Sequence, residues 1–131
     1  MAIDFVVSVL IPASPEEIYH TWLSSEGHSA MTGSPATASD QVGDEFTAWD
    51  GYINGRNLEL EPHARIVQSW RTTEFSPEEP DSRIEITLVA VGNQTRLTLH
   101  HTGLPPHGGQ YEQGWVDSYF EPMKEYFQSL H

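Results

Sequence analysis

Seven histidines, four tryptophans and no cysteine set the chemistry open to this chain of 131 residues. His100 and His101 are neighbours in a stretch that alternates like a strand, so their side chains point to opposite faces and cannot share one site. His101 shares its face with Leu97 and Leu99, which makes it an interior histidine. His100 goes outward with Arg96 and Thr98. A metal centre needs three or four converging ligands. His101, His107 and a carboxylate have no ligand spacing, so neither metal nor cofactor is expected. The lack of cysteine excludes thiolate nucleophiles and disulfides. No Gly-x-Ser-x-Gly elbow marks a nucleophilic serine, and Ser8, Ser69 and Ser82 read as ordinary strand or turn residues. An acid–base pair of His101 with Asp50 or Glu59 is the remaining catalytic reading. It is secondary, and no residue is assigned as catalytic.

Binding chemistry has more material. Trp70 and Arg71 face opposite ways, and an inward Trp70 either stacks on a guest or fills core. Trp115, Tyr119 and Met123 lie on a C-terminal amphipathic segment, and Phe46 and Leu99 sit on strand-like pieces. Trp22 and Trp49 read as packing residues.

The elements that would hold these side chains follow from periodicity. Ile3, Phe5, Val7, Val9 and Ile11 alternate as a strand. Ser14-Pro15-Glu16-Glu17 combines an N-cap, a proline at the first helical position and a glutamate three residues after the cap. Ile18, Tyr19, Trp22 and Leu23 continue that helix, and a short helical turn around Ala30 and Met31 ends before Gly33. Strands are expected at Thr37–Asp40, Glu45–Trp49, Tyr52–Leu60, Arg65–Thr73, Ser82–Val91 and Thr95–Thr102. Asp50-Gly51 and Gly92-Asn93 supply turns. Gly55 inside a strand signals a bulge or a close backbone approach. The last helix is expected over 111–130, with a kink at Pro122. The order predicts an α+β domain covering 1–131: two short helices after the first strand, then a curved antiparallel sheet of about six strands wrapped around a long C-terminal helix.

Charge narrows the partners. Six basic residues against nineteen acidic ones leave a formal charge of −13, which repels phosphate backbones and argues against nucleic acid. No apolar run reaches bilayer-spanning length, and Met1 to Ile11 lacks the basic flank of a signal peptide. The expected location is therefore cytoplasmic.

Taken together, several segments resemble a known family. They are Thr32-Gly-Ser-Pro-Ala36, Gly43 with Phe46, Asp50-Gly-Tyr-Ile-Asn-Gly55, Leu58-Glu-Leu-Glu-Pro62 and Ile66-Val-Gln-Ser-Trp-Arg71. Asp81-Ser82, Thr95-Arg-Leu-Thr-Leu99, Gly103-Leu-Pro105 and Gly114-Trp115 through Tyr119-Phe120 complete the set. This pattern is similar to the C-terminal domain of the activators of the heat-shock chaperone ATPase, within the helix-grip superfamily of START domains and birch-pollen allergens. Asp44 departs from it, standing where the family usually has a second glycine. The resemblance implies a ligand space between sheet and helix, and for the full two-domain activators a chaperone partner bound largely through the other domain. The expectation is a non-catalytic protein holding a small hydrophobic or aromatic ligand with Phe46, Trp70, Leu99, His101, Trp115, Tyr119 and Met123. A chaperone-directed interaction role is the alternative, and a cyclase- or hydratase-like cavity enzyme is the third reading.

Overall fold

The computed structural model describes residues 2–130. Six strands form one antiparallel sheet in the order β1-β6-β5-β4-β3-β2. They are β1 (Ile3–Ile11), β2 (Glu45–Ala48), β3 (Ile53–Glu61), β4 (Arg65–Thr72), β5 (Ser82–Val91) and β6 (Gln94–Leu104). Closing β1 against β6 joins the start of the chain to its last strand, with Val7 opposite Leu99 and Phe5 opposite His101. Every other neighbour is consecutive in sequence, so this single long-range pairing sets the curvature of the grip.

Helices α1 (Pro15–Trp22) and α2 (Ser25–Thr32) fill the gap between β1 and β2. Their starts are fixed by side-chain caps. Ser14 accepts the Glu17 amide at 3.1 Å, and Ser24 accepts the Gly27 amide at 3.1 Å. Each cap satisfies one of the amides that the first helical turn leaves unpaired. The segment 37–40 does not form the expected strand: it touches the sheet only through a bridge between Thr37 and Thr47. Its hydrogen bonds go instead to side chains, with Ser25 Oγ accepting the Ala38 amide at 2.9 Å.

The C-terminal helix comes in three pieces: α3 (Gln110–Trp115), a π-helical turn (Val116–Phe120) and α4 (Glu121–Leu130). The irregularity expected at Pro122 therefore sits in the turn just before it. Pro122 has no N–H for the Ser118 carbonyl, and its ring would crowd that carbonyl in an α-helix. The chain widens one residue earlier, with the Glu121 amide bonded to the Val116 carbonyl.

One face of the sheet, with Ile66, Ile84, Ile86, Leu97 and Leu99 fully buried, shares a single hydrophobic core with Met123 and Phe127 of α4. Burying each such side chain contributes about 1.5–3 kcal/mol. No helix among the described residues is long and apolar enough to cross a membrane.

Candidate functional site

A cavity of about 510 Å³ opens between the β2–β3 hairpin tip, the end of β4 and the first half of the C-terminal helix. Aromatic rings dominate its wall: Trp49 and Tyr52 from the hairpin, Trp70 from β4, and Tyr111, Trp115 and Tyr119 from the helix. Ile53, Glu74, Gln110, Gly114 and Ser118 complete the lining. Glu74 is thus the one ionisable group besides tyrosines, and no lysine, arginine or histidine lines the space.

The helix wall depends on the π turn. A π bulge inserts one extra residue and re-aims the side chains around it. Here it carries Ser118 and Tyr119 to the cavity while Trp115 stays against Tyr119, their ring centroids 4.8 Å apart. The hairpin wall depends on a strained turn. Trp49, Asp50 and Gly51 have φ of 53°, 56° and 87°. For a residue as bulky as Trp49 the left-handed region costs roughly 1–2 kcal/mol. The Asp50 amide is tied to the Pro35 carbonyl at 2.9 Å, which holds the turn in place. The Trp49 indole nitrogen is buried and has no hydrogen-bond partner among the described residues.

Two buried histidines brace the walls from behind. The Trp115 indole donates to His101 Nδ1 at 3.0 Å, which forces the proton of the neutral ring onto Nε2. That Nε2–H donates to Ser82 Oγ at 2.9 Å, and the Ser82 hydroxyl donates to the Trp70 carbonyl at 2.7 Å. One chain therefore joins two of the cavity tryptophans, Trp70 and Trp115, and every group in it is satisfied. Burial pushes the His101 pKa down to about 3, so the ring is neutral near pH 7.

His28 does the same for Tyr119. Its Nδ1–H donates to the Trp22 carbonyl at 2.9 Å, and its Nε2 accepts the Tyr119 hydroxyl at 2.7 Å. Burial lowers the His28 pKa to about 4, against the opposing backbone hydrogen bond. Burial also raises the Tyr119 phenol well above its ordinary value. At the mouth, Tyr52 donates to Glu74. Desolvation first, and then this bond, hold the Tyr52 phenol protonated.

Of the seven residues named from sequence, Trp70, Trp115 and Tyr119 line the cavity together. His101 lies behind them, fully buried and bonded to Trp115. Leu99 and Met123 are fully buried in the sheet–helix core, and Phe46 is a buried residue of β2; none of the three is in the lining. The acid–base pairing is not assembled. Asp50 is exposed at the hairpin tip, and Glu59 is exposed and bonded to Arg65 at 2.9 Å.

Trp49, read from sequence as packing, is only half-buried and faces the cavity. Its signal was the Asp50-Gly51 turn, which places the preceding residue at a hairpin tip. Tyr52, Tyr111 and Glu74 carried no spacing that could have singled them out.

The sequence model of the family described as Activator of Hsp90 ATPase homolog 1-like protein matches residues 12–128. Activator of 90 kDa heat shock protein ATPase homolog 1 of Homo sapiens is 34% identical over 115 residues, covering 87% of this chain and 34% of that protein. The homologue of Dictyostelium discoideum is 29% identical over 116 residues, covering 87% of this chain and 30% of that protein. The chain spans about a third of the length of these curated relatives. An HSP90 activator from Plasmodium falciparum superposes with a TM-score of 0.81 at 22% identity over 91% of each chain, a likeness of fold.

Proposed function

This chain belongs to the family of Activator of Hsp90 ATPase homolog 1-like proteins, and within that family we propose that it binds a small apolar or aromatic molecule without transforming it. The cavity of about 510 Å³ carries the reading. Its size falls within the roughly 300–1,000 Å³ usual for small-molecule sites. Its walls offer six aromatic rings, with Glu74 at the mouth and no cation. Such a lining favours guests that are neutral, or cationic at one end, since π faces and a carboxylate both attract positive charge. The strained Trp49 turn supports the same reading, because strain of this kind concentrates at functional sites. His101 and His28 act as positioning residues for Trp70, Trp115 and Tyr119.

Gly114 gives a clean test. A Cβ added there meets nothing within 4 Å, and its backbone is helical. Gly114 lines the cavity, so Gly114→Phe would put a ring into that space from the helix side. A thermal-shift screen of neutral and cationic aromatic compounds is expected to raise the midpoint of the wild type with at least one guest. The variant should keep its basal midpoint and lose that rise. A screen with no stabilising compound, or a rise that persists in Gly114→Phe, speaks against a guest in this cavity.

A second reading is favoured by the 34% identity to the human activator: a protein-interaction domain directed at a chaperone of the Hsp90 type. It predicts association with such a chaperone and a faster ATPase rate on addition of this chain. An unchanged rate, together with no complex on size exclusion, would remove it.

A further inference from the structure

We propose that Glu16, His20 and His63 form a surface site for a divalent transition-metal ion, Zn²⁺ being the reference case. The three offer one ligand atom each, and these atoms all lie within 4.8 Å of one another. Glu16 and His20 stand four residues apart on α1, which puts them on one face one turn apart. His63 comes from the turn between β3 and β4 and brings its Nε2 to 3.2 Å from that of His20. Ligands held about 2.0–2.1 Å from a tetrahedral zinc stand roughly 3.3–3.4 Å from one another. The two imidazoles are thus already at the spacing an ion would impose.

The rings are also held in orientation. Tyr19, itself buried, meets His20 and His63 edge-on, with centroids 5.7 Å away in both cases. His63 sits at φ 65°, a left-handed conformation that a non-glycine residue adopts at a cost of roughly 1–2 kcal/mol. Its turn is clamped on both sides. The Ala64 amide bonds the Glu61 carbonyl at 3.0 Å, and the Leu88 amide bonds the Ala64 carbonyl at 2.9 Å. Two imidazoles and one carboxylate select zinc, nickel or copper over calcium and magnesium, which prefer all-oxygen sites. Three protein ligands leave a fourth position to water or to another donor. The protein's charge of −13 raises the local cation concentration. An ion here would pin α1 to the β3–β4 turn, joining residues 43 positions apart. That separation is why no ligand motif shows in the sequence.

The test uses protein with any affinity tag removed, titrated with ZnCl₂ by calorimetry and with CoCl₂ by visible absorption. The expected result is one ion per chain, with the absorption bands of tetrahedral cobalt. Losing even an outer-sphere partner of a metal site weakens binding ~10–100-fold, so His20→Ala and His63→Gly should each weaken it at least ~10-fold. His63→Gly also relieves the positive φ, so the metal-free variant should fold at least as well as wild type. Zn²⁺ should raise the thermal midpoint of the wild type but not of that variant. His107→Ala, which changes a histidine bonded to Glu79 at 3.0 Å, should leave binding intact. Absence of binding, or binding undiminished in His63→Gly, would overturn the site.

Discussion

Gly55→Ala is expected to be the most damaging single-methyl change in the protein, lowering stability by on the order of 3 kcal/mol or more. Gly55 pairs with Phe46 of β2 while its strand runs against β4 on the other side. A Cβ built at Gly55 would lie 1.9 Å from the Ser69 carbonyl oxygen and 2.7 Å from Phe46 Cε2. The nearer atom is backbone, so no rotamer change relieves the clash, and β3 must separate from β4. The same region already departs from a regular ladder. The Arg56 amide bonds Ser69 Oγ at 2.9 Å, and the register shifts between Asn57 and Glu59. Urea denaturation would show the loss directly. Gly114→Ala is the internal control, because its open surroundings and helical backbone should make it neutral or stabilising by about 0.5–1 kcal/mol. If Gly55→Ala stayed within about 0.5 kcal/mol of wild type, as harmless surface changes do, the close strand crossing would be wrong.

Acid should weaken the fold through two buried histidines. His28 and His101 are buried and neutral, with pKa values lowered mainly by burial to about 4 and about 3. In the unfolded chain each takes up a proton near pH 6.5. As pH falls below that value the unfolded state binds protons that the folded state refuses, so stability falls with pH. The stabilisation from each ring is complete above about pH 6.5. It is lost as pH drops toward about 4 for His28 and about 3 for His101. Each histidine contributes up to about 1.4 kcal/mol per pH unit in that window. Between pH 6.5 and 4.5 the pair removes on the order of 5 kcal/mol, a large part of the roughly 5–15 kcal/mol typical of a domain. Protonating His101 would also set an Nδ1–H against the Trp115 N–H, donor against donor. Glu59 and Glu79, whose pKa values are lowered by Arg65 and His107, act at lower pH and leave this window to the histidines. Denaturant midpoints measured from pH 7.5 to 4.5 should fall steadily in wild type and more gently in His28→Gln/His101→Gln. A flat profile in wild type would contradict the two neutral, buried rings.

What could be read from sequence was local. Alternation placed His101 on the inner face with Leu97 and Leu99. Ser14-Pro15 marked the start of α1, and an isolated glycine at 55 signalled a bulge or a close backbone approach. The family resemblance supplied the sheet-and-helix architecture. The site is harder to read because its parts meet only after β1 closes on β6 and the helix folds back. His101 faces inward, but only the contact with Trp115 shows that it braces a wall and does not line it. Trp49 belongs to the cavity because a left-handed hairpin tip turns it there. Tyr119 and Ser118 reach it through a π turn, whose one-residue offset shifts the buried face between Tyr119 and Phe120 and has no signature in the sequence spacing. Glu74 is one of nineteen acidic residues, and its bond to Tyr52 brings it to the mouth. Phe46, Leu99 and Met123 were equally plausible as wall or core by residue type, and packing put them in the core.

The central claim is that the aromatic cavity admits a guest, and fluorescence with the neutral probe N-phenyl-1-naphthylamine tests it most directly. Trp49, Trp70 and Trp115 line the space, so a probe inside it accepts energy from them on tryptophan excitation. The account predicts saturable, one-to-one sensitised emission in wild type and its loss in Gly114→Phe at unchanged thermal stability. Emission that never saturates, or that is the same in both proteins, would show that nothing enters the cavity.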